Sequence, residues 1–141
     1  MNLSTNVTTI LPFSEFINHP PPPPISSEIV EIASESREMI IHIPSSRRRL
    51  KLQLHEEIRV GRGDSDLTPE LDLTDDDGAE KGISRLHATI KSVKQGVVLI
   101  DLDSTNGTLL NTYRLPPQRP YPLKNGDEIR FGELLVHVFF E

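Results

Sequence analysis

A β-sandwich of two antiparallel sheets, all-β and preceded by a disordered N-terminal tail, is the architecture expected of this chain. Three observations lead there. Leu50-Lys51-Leu52-Gln53-Leu54 alternates strictly between apolar and polar, the period of a half-buried strand. Turn signals at Gln95-Gly96, Asn106-Gly107 and Asn125-Gly126 separate short apolar runs. No segment carries a helical period long enough to matter, and many short strands punctuated by turns indicate a sandwich.

The elements follow in order. Residues 1–37 read as the tail: Met1 to Asn18 is rich in Ser, Thr and Asn, and Pro20 to Pro24 is an unbroken proline run. Such a run favours an extended polyproline II spacer and cannot join a central strand. The alternative at Ser27–Ser36 is a short helix packed on the domain. The domain is expected over residues 38–141. Strand-like runs are Met39–Ile43, Leu50–Leu54, Ile58–Val60, His87–Val93, Val97–Leu102, Thr108–Leu110, Glu128–Phe131 and Leu134–Phe140. Pro44-Ser45-Ser46 reads as a hairpin loop. Gly61 to Gly82 reads as a long acidic loop, with Asp64, Asp66, Glu70, Asp72, Asp75, Asp76, Asp77 and Glu80 and no Lys or Arg between Arg62 and Lys81.

Composition narrows the chemistry. Aromatics make up only 5% of the 141 residues, so the core has to be aliphatic. There is no Cys, which removes disulfides, thiolate metal sites and thiol nucleophiles together. A net charge of −6 argues against broad binding to nucleic acid or to anionic membranes, so an anion site has to be local. No apolar run is long enough to span a bilayer. A soluble, cytoplasmic protein without cofactor is the expectation.

Three segments lie between strands, where loops present functional groups. They are Val60-Gly61-Arg62, Ser84-Arg85-Leu86-His87-Ala88 and Asp103-Ser104-Thr105-Asn106-Gly107-Thr108. Their inventory is rich in donors: guanidinium groups, hydroxyls and a carboxamide, with glycines for close approach. It suits a tetrahedral oxyanion better than it suits bond-making. Taken in order with Asn111, Leu123-x-x-Gly126-Asp127-x-Ile129 and Gly132, these motifs resemble the forkhead-associated (FHA) domain family from about Met39 to Glu141.

That resemblance implies a phosphothreonine-dependent protein-binding module that docks partners modified by a Ser/Thr protein kinase. It implies that Arg62 and Ser84 contact the phosphate, that Thr105 lies beside the phosphothreonine, and that Asn106 holds the peptide backbone. It places Arg85 near the phosphate or the peptide. Gly61, His87 and Gly107 are implied as scaffold. The residue after Asn111 is Thr112, where the family commonly has Gly.

Other readings carry less. Asn125-Gly126 reads as a turn only. An EF-hand register on Gly78 puts Leu73 and Ser84 at carboxylate positions, so Asp75-Asp76-Asp77 reads as a solvated acidic loop and no metal is expected. A hydrolase using Ser84, His87 and an acid such as Asp101 lacks a nucleophile-elbow motif. A phosphate-independent interaction domain is the remaining alternative. His42, His55 and His137 are assigned no role.

Overall fold

A computed structural model describes residues 37–141; the readings made for residues 1–36 lie outside the described residues, and Arg37, read as the end of the tail, is the first residue of a strand. The strands are β1 (Arg37–Ile43), β2 (Arg48–Leu54), β3 (Glu57–Gly61), β4 (Leu71–Asp72), β5 (Ala88–Val93), β6 (Gly96–Asp101), β7 (Thr108–Leu110), β8 (Tyr113–Arg114), β9 (Tyr121–Leu123), β10 (Glu128–Phe131) and β11 (Leu134–Phe140). They form a six-stranded sheet, β2-β1-β11-β10-β7-β8, and a five-stranded sheet, β4-β3-β5-β6-β9. Pairing is antiparallel apart from the two-residue β4, which runs parallel to β3.

Alternation builds the core. Met39, Ile41 and Ile43 point inward from β1, and Leu134, Val136 and Val138 from β11. Ile58 and Val60 of β3, Ile90 of β5 and Leu99 of β6 meet them from the other sheet. The core is largely aliphatic, with Phe131 its largest fully buried side chain. Fully burying one such Leu or Ile is worth about 1.5–3 kcal/mol.

Register brings the loops to one end. Val60 pairs with Ala88, and Ala88 pairs with Asp101 on its other side. The loop leaving β3, the loop entering β5 and the loop leaving β6 therefore emerge side by side. The sandwich fixes which segments can meet before any loop residue is considered.

Three short strands fall outside the sequence reading. β4 lies within the supposed acidic loop, where Leu71 and Leu73 are buried on either side of an exposed Asp72. β9 carries Pro122 and sits at the edge of its sheet, the position where a missing N–H costs no ladder bond. β8 is two residues long. The acidic run is also not uniformly solvated. Asp76 is buried and bound by Arg48, through Nη2 at 2.6 Å and Nε at 3.1 Å, and by the Ser46 hydroxyl. Glu70 is held by Arg59, whose hydrogen bond is the largest cause keeping that carboxyl down at about 2.

The β7–β8 hairpin turns through Asn111 and Thr112, both at positive φ (49° and 76°). Two-residue hairpins of this hand favour Asn-Gly, and a β-branched residue there is strained. Thr112→Gly should raise stability by about 1 kcal/mol, read as a shifted midpoint in urea denaturation with an unchanged slope. An unchanged or lower midpoint would mean that Thr112 makes a compensating contact.

Candidate functional site

The loop after β3 and the loop before β5 hold each other through backbone contacts before any side chain acts. Arg62 N–H donates to the Ser84 carbonyl at 3.2 Å, and Gly63 N–H to the Arg85 carbonyl at 3.0 Å. The approach requires Gly61, because a Cβ there would sit 2.1 Å from the Arg85 carbonyl oxygen. No side chain at that residue could leave the Ser84–Arg85 segment where it is.

His87 joins the loops from below. It is fully buried. The Ser84 backbone N–H donates to its Nδ1 at 3.0 Å. Since Nδ1 accepts, the ring proton is on Nε2, which donates to the Gly107 carbonyl at 2.9 Å. Phe131 meets the ring edge-on, with centroids 5.7 Å apart. One neutral imidazole thus ties the Ser84 loop to the Ser104–Gly107 loop. Burial pushes its basicity below the usual histidine range, opposed by the Gly107 hydrogen bond and the charge on Asp101.

Asp101 organises the third loop. Its Oδ1 accepts from the hydroxyls of Ser104 at 2.5 Å and Thr108 at 2.6 Å, and its Oδ2 from the Ser104 N–H at 3.2 Å. Ser104 Oγ in turn accepts from Gly107 N–H at 3.0 Å. The carboxylate is buried and fully engaged. The hydrolase alternative has no geometry here. Both ring nitrogens of His87 are occupied by backbone groups, and the Ser84 hydroxyl is bonded to Thr105 N–H, not to the imidazole.

Arg62, Ser84, Arg85, Thr105 and Asn106 all line one open cavity of about 520 Å³, with Ala79, Gly82, Ile83 and Leu86. Their orientations are set by particular bonds. Arg62 Nε donates to the Ile83 carbonyl at 2.8 Å, which leaves the two terminal nitrogens of the guanidinium unengaged among the described residues. Ser84 Oγ accepts from Thr105 N–H at 3.2 Å, so its own proton remains available to an incoming acceptor. Asn106 Nδ2 donates to the Gly82 carbonyl at 2.9 Å, which fixes the amide and turns its oxygen away from that contact. Arg85 is more exposed, with Nη1 3.9 Å from Asp64 Oδ2. A second cavity of about 430 Å³ adjoins the first across Arg62 and Ala79 and is lined by Asp64, Asp72 and Glu80.

The family profile of the FHA domain matches residues 58–132, more than half of the chain. The chain belongs to the FHA family. An FHA domain-containing protein of Arabidopsis thaliana is 44% identical over 54 residues, which is 38% of this chain and 14% of that protein. The matched regions span between 9% and 40% of such curated relatives. Among solved structures, the FHA domain of an A. thaliana hypothetical protein superposes with a TM-score of 0.61 at 31% identity, covering 74% of this chain and 86% of that one. EmbR of Mycobacterium tuberculosis, solved with a low-affinity phosphopeptide, gives 0.59 at 28% identity, covering 72% of this chain and 24% of that one.

Within this FHA domain, sequence reasoning missed several members of the site. Asp101 was considered only as a catalytic acid. The spacing Asp101-x-x-Ser104, a carboxylate three residues before a hydroxyl at a strand end, is a capping signal that could have found it. Gly82 and Ile83 act through carbonyls, which no side-chain pattern reveals. Leu86, which lies within the Ser84-to-Ala88 motif but was given no role there, is 36% exposed in the cavity wall.

The His87 clamp makes two measurable demands. His87→Ala leaves the Ser84 N–H without its partner and removes one of the two donors to the Gly107 carbonyl, the other being Gly132 N–H, and should cost about 1–3 kcal/mol in denaturant unfolding. Because the folded-state value is lowered, the unfolded chain binds the proton first as pH falls through about 6.5. Stability should therefore be intact above that pH and decline below it. Comparing unfolding free energies at pH 7.5 and 5.5 checks this, and the His87→Ala variant should show a smaller decline.

Proposed function

We propose that this FHA domain is a phosphothreonine-dependent binding module, not an enzyme, that docks proteins phosphorylated by a Ser/Thr kinase. One observation carries the reading: Arg62, Ser84, Arg85, Thr105 and Asn106, contributed by three loops, converge on a single open cavity. The structural relative EmbR was solved with a phosphopeptide, which points to the same ligand class.

The roles follow from which atoms are spent and which are open. The terminal nitrogens of Arg62 present a planar fork to a phosphate carrying about −1.5 to −2 charges. The Ser84 hydroxyl, already accepting from Thr105, donates its proton to a phosphate oxygen. Arg85, loosely tethered to Asp64, swings toward the phosphate or the peptide. Thr105 borders the phosphothreonine, and the Asn106 oxygen accepts a peptide N–H beside it. Gly61, His87 and Gly107 keep the loops in place, so little ordering entropy is lost on binding. The folded module corresponds to residues 38–141.

Calorimetry with a phosphothreonine peptide and its unphosphorylated counterpart tests the reading. Binding should require the phosphate. Arg62→Ala should weaken it by about 1.5–3 kcal/mol while leaving thermal unfolding unchanged. Equal affinity for the two peptides would sink the assignment.

A further inference from the structure

We propose that Arg114 is a second anion-reading residue of this site, taking a ligand carboxylate near the phosphothreonine on the Asn106 side. The inference rests on the phosphothreonine reading and adds a residue that the loop motifs do not contain. Arg114 lies on β8, outside those motifs and outside the wall of the phosphate cavity.

The contact that places it is with Gly107. A Cβ added at Gly107 would lie 2.8 Å from Arg114 Cζ, 2.9 Å from Nη2 and 3.0 Å from Nε. All three atoms belong to the guanidinium, so the flat group lies across the bare α-carbon of Gly107. Register explains the meeting. Arg114 pairs with Leu109 across the β7–β8 hairpin, and Gly107 lies two residues before Leu109, on the same face. The glycine, at φ +88°, thereby holds open the place that the cation occupies.

Among the described residues the guanidinium has no competing partner. Arg114 is exposed, and it makes no hydrogen bond or ion pair with any described residue. Its neighbours in that respect differ: Arg48 is committed to Asp76, Arg59 to Glu70, and Arg85 stands beside Asp64. A cation held in place by packing and left unneutralised is suited to an external anion. The glycine it lies across, Gly107, is one residue from Asn106 and two from Thr105. Two Cα steps span at most about 7.6 Å, and an extended ligand advances about 3.3 Å per residue. The carboxylate it reads is therefore two to four positions from the phosphothreonine.

Charge on the opposite side gives this a direction. The cavity beyond Arg62 carries Asp64, Asp72 and Glu80. A ligand acid placed there meets repulsion, whereas one placed beyond Asn106 meets Arg114. The site is thus polar along its length, and the ligand's charge pattern is read in one orientation only.

The test uses the full chain and four phosphothreonine peptides of one backbone. One has neutral flanks, one carries Glu two to four positions before the phosphothreonine, one carries it after, and the last is the neutral peptide without phosphate. Phosphate dependence is read first, and its absence defeats the phosphothreonine reading itself. With that dependence present, one of the two acidic peptides should bind about two- to five-fold more tightly than the neutral one at low salt, the range of an exposed ion pair. Arg114→Ala should erase that advantage, and Arg114→Glu should invert it. Arg114→Ala should bind the neutral phosphopeptide as the natural chain does, and Arg114→Glu is read by the ratio of acidic to neutral peptide affinity. An acid preference that survives Arg114→Ala overturns the proposal. So does the absence of any preference. Equal loss of neutral and acidic peptide binding in Arg114→Ala also overturns it, since Arg114 would then only brace the Gly107 loop.

Discussion

The buried imidazole of His87 is the constraint on which the site depends. It accepts from one loop and donates to another, so it works only as a neutral ring with its proton on Nε2. A protonated ring would have to turn a donor toward the Ser84 N–H, where no acceptor exists. Phe131 and the surrounding apolar core supply the desolvation that keeps the ring neutral. Packing, tautomer and loop position are therefore one condition. The two backbone groups it satisfies belong to segments twenty-three residues apart, Ser84 and Gly107, which strand pairing alone brings near one another but does not join.

From that clamp the site can be followed outward. Ser84 is fixed through its backbone, and its hydroxyl then receives Thr105 N–H. Gly107 is fixed through its carbonyl, and the same residue leaves room for Arg114. Asp101 closes the third loop internally by collecting two hydroxyls and a backbone N–H. Among the described residues the Ser92 hydroxyl is the buried side-chain group left unpaired, and it lies away from the site, whose open valences lie toward solvent. Unpaired donors are costly only when buried. Placing them at the surface of a rigid frame keeps them available without that cost.

Much of the frame could be read directly from residue patterns, and the reasons are specific. Leu50 to Leu54 alternates because one face of its strand is solvent-exposed, whereas Leu134 to Phe140 reads as a nearly continuous apolar run because its outer face is half-buried. The Asn106-Gly107 turn and the Ser84-Arg85-x-His87 segment stand out because loops concentrate unusual residues in short stretches. β4 and β8 escaped notice because two residues cannot establish a period. Asp76 escaped because burial of a carboxylate depends on Arg48, twenty-eight positions earlier. The carbonyls of Gly82 and Ile83 were invisible for a different reason: a backbone acceptor is the same whatever side chain it carries. Arg114 combines both difficulties, since its meaning comes from a cross-strand neighbour and from the absence of a side chain at Gly107.

An anion site within a chain of net charge −6 requires that the negative charges be spent elsewhere. The structure achieves this by local pairing. Asp76 is neutralised by Arg48 beneath the surface, and Glu70 by Arg59 along the sheet edge. Asp101 is enclosed by hydroxyls. What remains near the cavity is Asp64, Asp72 and Glu80 on one flank. At the ionic strength of a cell, exposed charges more than about 8 Å apart are largely screened. The field at the phosphate position is accordingly set by the few groups within that radius, chiefly Arg62 and Arg85, and not by the total. The residual acids act on the next residues of a ligand instead. Net charge thus bears on what the surface repels in general, while affinity and orientation are decided by the placement of individual guanidinium groups.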